Sequence, residues 1–142
     1  MSTEREQILA RIMTNLNGTV GVRTRIYRSR IEALARSESP AIIVEWTKDE
    51  CGMEGFLPHL NWSLLTRITV VTRGAVPDQL ADPTIKSAHA KLLADITLNG
   101  LAFDIIPESV EFDVLDTDQP AGLTMMFYRV RYRTSLGDMG VS

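Results

Sequence analysis

The residues that most constrain the fold are 61–73, which divide between two faces with a period of two. Trp62, Leu64, Thr66, Ile68 and Val70 fall on one side, and Leu65, Arg67, Thr69, Val71 and Arg73 on the other. A period of two reads as a β-strand, and Gly74 ends it. The last third of the chain repeats the pattern. Val110, Phe112 and Val114 alternate with Glu111, Asp113 and Leu115, and Met126, Tyr128, Val130 and Tyr132 alternate with Phe127, Arg129, Arg131 and Arg133. With a turn over residues 117–122 these two runs make a hairpin. Pairing Val114 with Met126, Phe112 with Tyr128 and Val110 with Val130 places Glu111 opposite Arg129, a mildly stabilising cross-strand pair.

Helical spacing marks two further segments. Residues 3–16 open on Thr3 and Glu6, which match the capping box, and carry Ile8, Leu9, Ile12, Met13 and Leu16 on one face. Asn17-Gly18 supplies the stop. Residues 83–98 start at Pro83, where a missing amide is harmless. They carry Ile85, Ala88, Leu92, Leu93 and Ile96, and end at Asn99-Gly100.

Between them, residues 20–29 alternate loosely as a strand, residues 31–36 suit a helical turn, and residues 41–46 suit a short buried strand after Pro40. Residues 47–60, with Gly52, Gly55 and Pro58, read as a long loop or an irregular hairpin carrying Met53, Phe56 and Leu57. A loop of that length in a compact domain usually has a task. Residues 135–142 have little to pack and read as a loose tail.

The order of elements predicts one α+β domain over residues 1–142: a mostly antiparallel sheet of about five strands with two main helices packed against it. A 142-residue chain that is 44% hydrophobic and 23% charged has enough apolar material for one core. No apolar run approaches the ~20 residues of a membrane-spanning helix. The polar residues 1–7 do not resemble a signal peptide. The expectation is a soluble, intracellular protein with no membrane partner. The single Cys51 excludes an internal disulfide.

Catalytic and metal motifs are sparse. Cys51 and His59 with Asp49 or Glu50 match no standard zinc spacing, and Cys51 lacks a neighbouring base to activate it. His89 falls mid-helix. Gly18-Thr19-Val20-Gly21 lacks the later glycine of a dinucleotide loop. Carboxylates abound between Asp104 and Asp118, but a hydrolytic pair also needs an enclosing cleft. The expectation is no enzyme and no cofactor.

Charge is distributed unevenly. Residues 1–40 hold seven arginines and four glutamates, a net of +3, while the remaining 102 residues hold eight basic and fourteen acidic side chains, a net of −6. Arg23, Arg25, Arg28 and Arg30 form a basic stretch, and Glu111, Asp113, Asp116 and Asp118 an acidic one. Both suit solvated faces. They also suit a head-to-tail contact between copies, in which unlike patches meet and close a ring. Arginine serves carboxylate and phosphate equally well. A nucleic-acid reading through residues 23–36 therefore stays open locally, although the overall charge of −3 weighs against it.

Three stretches resemble the tail terminator proteins of long-tailed bacteriophages, the group of the lambda minor tail protein U. They are the N-terminal helix running into Val22-Arg23-Thr24-Arg25-Ile26-Tyr27-Arg28-Ser29-Arg30, the segment Ser39-Pro40-Ala41-Ile42-Ile43-Val44-Glu45, and the long strand followed by its helix. The resemblance implies a structural virion protein that caps the head-proximal end of the tail tube as a homohexameric ring. It implies three partners besides itself: the tail tube protein, the head–tail connector, and genome DNA passing through the lumen without specific binding. It further implies that the 47–60 loop orders on assembly, with Met53, Phe56 and Leu57, and that the arginine and acidic stretches meet a neighbouring subunit or tail partner. Another protein of the head–tail joint is the alternative.

Overall fold

The computed structural model describes residues 2–29, 39–52, 59–115 and 121–140. The chain is an α+β fold, as the sequence predicts: the described residues form five strands in one mostly antiparallel sheet and two helices. Helix α1 covers Glu4–Asn15 and α2 covers Pro77–Leu93. The strands are β1 (Ile26–Arg28), β2 (Ala41–Gly52), β3 (His59–Arg73), β4 (Asp104–Leu115) and β5 (Ala121–Ser135), in the spatial order β1-β2-β3-β5-β4. Only the β1–β2 pair is parallel.

Both helices lie on one side of the sheet. Ile8, Leu9, Ile12 and Leu16 of the α1 segment and Ala81, Ala88 and Leu92 of α2 share a core with Ile42, Val44, Leu64, Ile68, Val70, Met126, Tyr128 and Val130. These strand residues are the alternating set read from the sequence, because burying one face of a strand selects every second side chain. Burial of such side chains stabilises by about 1.5–3 kcal/mol each. Asp95 ties the helices together. It accepts from Arg11 (3.0 Å) and Asn15 (2.9 Å) of α1 and from the Asn99 amide (3.1 Å), and these bonds hold its carboxyl below the usual range.

Several boundaries differ from the sequence reading. Strand β1 has three residues rather than ten, because Gly18, Gly21 and Arg23 take positive φ (83°, 87° and 54°) and fold residues 16–24 into turns. Helix α2 begins at Pro77, so Pro83 lies inside it. Its missing amide leaves a carbonyl one turn earlier without its helical donor, at an exposed position that water can serve. The helix ends at Leu93, and Leu98, Asn99 and Gly100 turn the chain with positive φ.

Within 47–60 the described residues take the irregular-hairpin form of the two expected: β2 runs on to Gly52 and pairs antiparallel with β3, which starts at His59, past a bulge between Trp46 and Lys48. The closing hairpin has a shorter connection than predicted. Ala121 and Gly122 belong to β5, since Gly122 receives Pro77 and Phe112 so closely that a Cβ there would lie 2.6 Å from Pro77. Val110 therefore pairs with Met126, Phe112 with Thr124 and Val114 with Gly122. A second bulge falls between Pro107 and Ser109. Residues 135–140 are tied down, with the Glu4 amide donating to the Met139 carbonyl at 2.7 Å. The predicted helical turn at 31–36 lies outside the described residues.

Candidate functional site

The charged stretches singled out by the sequence divide into side chains satisfied within the subunit and side chains facing outward. Arg25 is of the first kind. Its Nε donates to the Pro40 carbonyl and its Nη2 to the Gly21 carbonyl, both at 2.8 Å. Arg28 is too. Its two terminal nitrogens grip both oxygens of Glu6 at 3.1 Å, and this pairing lowers the Glu6 pKa. Glu6 thus completes only half of the expected capping box: its amide donates to the Thr3 hydroxyl oxygen at 3.1 Å, while its carboxylate turns to Arg28. Arg23 is exposed and makes no ion pair among the described residues.

The acidic strand divides in the same way. Asp104 is bound by Arg131, which holds its carboxyl below the usual range, and Glu108 takes Arg129 in a two-pronged contact at 3.0 and 3.2 Å. The predicted Glu111–Arg129 pair does not form. The observed register sets Glu111 opposite Met125 and Ile106 opposite Arg129, because the hairpin closes four residues tighter. Glu111 and Asp113 are exposed, and Asp113 accepts only from its neighbour's amide at 2.8 Å. Arg30, Asp116 and Asp118, and Met53, Phe56 and Leu57, lie outside the described residues.

Strand β4 is also an edge strand, and three of its apolar side chains stay in water. Val110 is 63% exposed, Phe112 46% and Val114 49%. The sequence marked them as core because they alternate correctly and do point to the helix side. The helices stop short of the sheet's rim, so no element covers them among the described residues. Between β4 and α2 runs a groove of about 260 Å³ lined by Ile85, His89, Pro107, Val110, Met126 and Tyr128. The His89 ring meets the Tyr128 hydroxyl at 2.7 Å across its floor. Asp78 and Asp82 precede Ile85 and His89 at helical spacing on this flank of α2, both exposed and without an ion pair among the described residues. Interfaces commonly combine an apolar centre with a charged rim.

The opposite flank of α2 carries the turn of residues 19–24. Thr84 donates to the Val20 carbonyl (2.9 Å), and the Val20 amide donates to Ser87 (3.1 Å). With Arg25 clamping Gly21, the turn holds out Val20, 55% exposed, and Arg23. Sequence reasoning found Arg23 through its charge but missed Val20. Its visible signal was the pair Gly18 and Gly21, which argued for a turn.

A third cluster joins α1 to the far half of β2. Asp49, with its side chain 3% exposed, accepts from the Tyr132 hydroxyl and from Arg5 at 3.4 Å. The Arg5 guanidinium also lies 4.3 Å over the Trp46 ring. Burial pushes the Asp49 carboxyl and the Tyr132 hydroxyl up, and it raises Glu4 beside them. Among the described residues no group of three or more His, Cys, Asp or Glu could hold a metal ion. Cys51 is free and exposed. No helix among the described residues is long and apolar enough to cross a membrane.

The fold has a solved counterpart. It aligns with a chain from the virion of a native gene transfer agent particle, at a TM-score of 0.59 and 14% identity, over 92% of this chain and 92% of that one. At that identity the likeness concerns the fold. Neither a protein-family model nor a curated protein matches the sequence.

Proposed function

We propose that this chain is a structural protein of a phage-like particle, a tail terminator that assembles as a homohexameric ring on the head-proximal end of the tail tube. There it ends tube growth and offers the docking surface for the head connector, while genome DNA passes through the lumen without specific binding. The observation that carries the reading is the end-to-end likeness, 92% of both chains, to a component of a gene transfer agent virion. The exposed apolar edge of β4 supports it further, since a long open edge strand invites another chain. The net charge of −3 suits a lumen that should release DNA, because phosphate neutralisation is what gives nonspecific affinity.

The mechanism is capping. The ring seats on the tube end as the next ring of tube subunits would, and its far face recruits none. Adding the purified chain to polymerising tail tube protein tests this. Tubes should stop growing at chain concentrations far below that of the tube protein. Tubes that elongate normally with saturating chain present would contradict the terminator role. If growth is unaffected but the chain still joins tube to connector, the protein belongs elsewhere in the head–tail joint.

A further inference from the structure

Helix α2 separates two surfaces of opposite character. On one flank, Asp78 and Asp82 of α2 stand beside the groove that leads to the exposed apolar row Val110, Phe112 and Val114, whereas Glu111 and Asp113 alternate onto the opposite face of β4. Among the described residues neither Asp78 nor Asp82 has an ion-pair partner. On the other flank, a turn with its backbone fixed from both sides presents one apolar and one basic side chain, Val20 and Arg23. Lys91 lies on that same flank, its Nζ over Gly18.

We infer that these two surfaces are complementary halves of one subunit contact: the Val20–Arg23 turn of one copy seats on the β4–α2 groove of the next. The occupant is a second copy of this chain because the match lies in both chemistry and pattern. An apolar side chain beside a cation faces an apolar row beside carboxylates. Such charge matching fixes orientation and raises the rate of encounter. A pre-fixed turn loses little conformational freedom on docking. In the proposed contact each copy, with its two halves on opposite flanks of one helix, gives its turn to one neighbour and its groove to another. The contact is head-to-tail, and head-to-tail contacts close into rings when the rotation allows. The inference rests on the ring proposed above and names the residues that would build it. It also revises the predicted interface: Arg25 and Arg28 shape the subunit from within, Arg23 reaches the neighbour, and Glu111 and Asp113 lie on the face of β4 away from the groove.

Each copy carries one turn and one groove, which permits a complementation test on the full chain. Arg23→Glu removes the turn's charge, and Val110→Lys spoils the groove at a 63% exposed position. Both sites are exposed, so circular dichroism should show the fold unchanged. Sedimentation velocity across a wide concentration range should show the parent associating and each variant weakened at least tenfold. A mixture of the two variants should retain one intact contact, Val20 and Arg23 of the Val110→Lys copy on the groove of the Arg23→Glu copy. It should therefore stop at a dimer of two 15.8 kDa chains, about 32 kDa. Arg23→Glu combined with Asp82→Arg in one chain should regain part of the parent's association.

Variants that associate like the parent, a mixture that stays monomeric, or a parent that does not self-associate at any concentration would each overturn the contact. The tube-growth assay is independent of these outcomes. A chain that associates as described yet fails to arrest tubes keeps the contact and loses the terminator role. A chain that arrests tubes through variants unaffected by these substitutions keeps the role and loses the contact.

Discussion

The two edge strands of the sheet are built in opposite ways. Strand β1 is three residues long and bound to its own subunit. Arg28 grips Glu6 of α1, and Arg25 next to it holds the carbonyls of Gly21 and Pro40. Strand β4 is twelve residues long, leaves Val110, Phe112 and Val114 in water, and carries Glu111 and Asp113 without ion-pair partners among the described residues. Proteins normally shorten, charge or cover sheet edges because an open edge recruits other chains. Strand β1 is kept short, whereas β4, despite Pro107, a bulge and its carboxylates, leaves an apolar row open. On the ring proposed above, this contrast puts the subunit contact at β4, while the arginines beside β1 mainly hold the subunit together.

Substitutions at the two edges should therefore separate stability from assembly. The largest stability loss is expected behind β1. Ile42, fully buried and paired with Ile26, should cost about 2–5 kcal/mol as Ile42→Ala, measured by urea unfolding. A loss under about 1 kcal/mol would mean that β1 is loosely attached. Arg25→Ala removes two charge-assisted bonds to carbonyls, each worth about 1.5–3 kcal/mol where well shielded. Partial exposure reduces this, and a loss of about 1–2 kcal/mol is expected, with faster amide exchange over residues 19–24. Unchanged exchange there would show that α2 alone fixes the turn.

Asp49 supplies a pH test. Its folded-state pKa is raised above the ordinary 3.8 by burial, with Arg5, Tyr132 and Glu4 packed around it. The folded state thus binds this proton more tightly than the unfolded state does. The parent should gain stability relative to Asp49→Asn as pH falls from 7 through the raised value toward 3.8. Glu6, Asp95 and Asp104, held below their ordinary values, act in the opposite direction and lose their contribution in acid. They are common to both proteins, so the difference isolates Asp49. A difference moving the other way would contradict the buried assignment. The smallest effect belongs to β4. Asp104→Asn breaks a pair whose Arg131 side chain is 57% exposed, and a loss below about 0.5 kcal/mol is expected. A loss above 1 kcal/mol would show β4 to be held by its charges.

Much of the fold could be read from the sequence, because alternation in β3 and β5 and the apolar stripe of α1 are local patterns that burial enforces. What could not be read depended on partners distant in the chain. Alternation assigned Val110, Phe112 and Val114 to the helix side but could not say that the helices end before reaching them. Gly122 looked like a turn residue, and only the approach of Pro77 and Phe112 makes it a strand residue. The charge asymmetry was visible, yet the sequence could not show that Glu6 neutralises Arg28 or that carbonyls hold Arg25. The surface left for a neighbour is what remains after such internal pairing.

The most direct test of the account is an image of the chain on its proposed template. Tail tubes assembled with the chain and viewed by electron microscopy should carry one added ring at one end only. Its mass should correspond to six copies of 15.8 kDa, about 95 kDa. Chain distributed along the tube wall, present at both ends, or absent from the tubes would contradict a terminator.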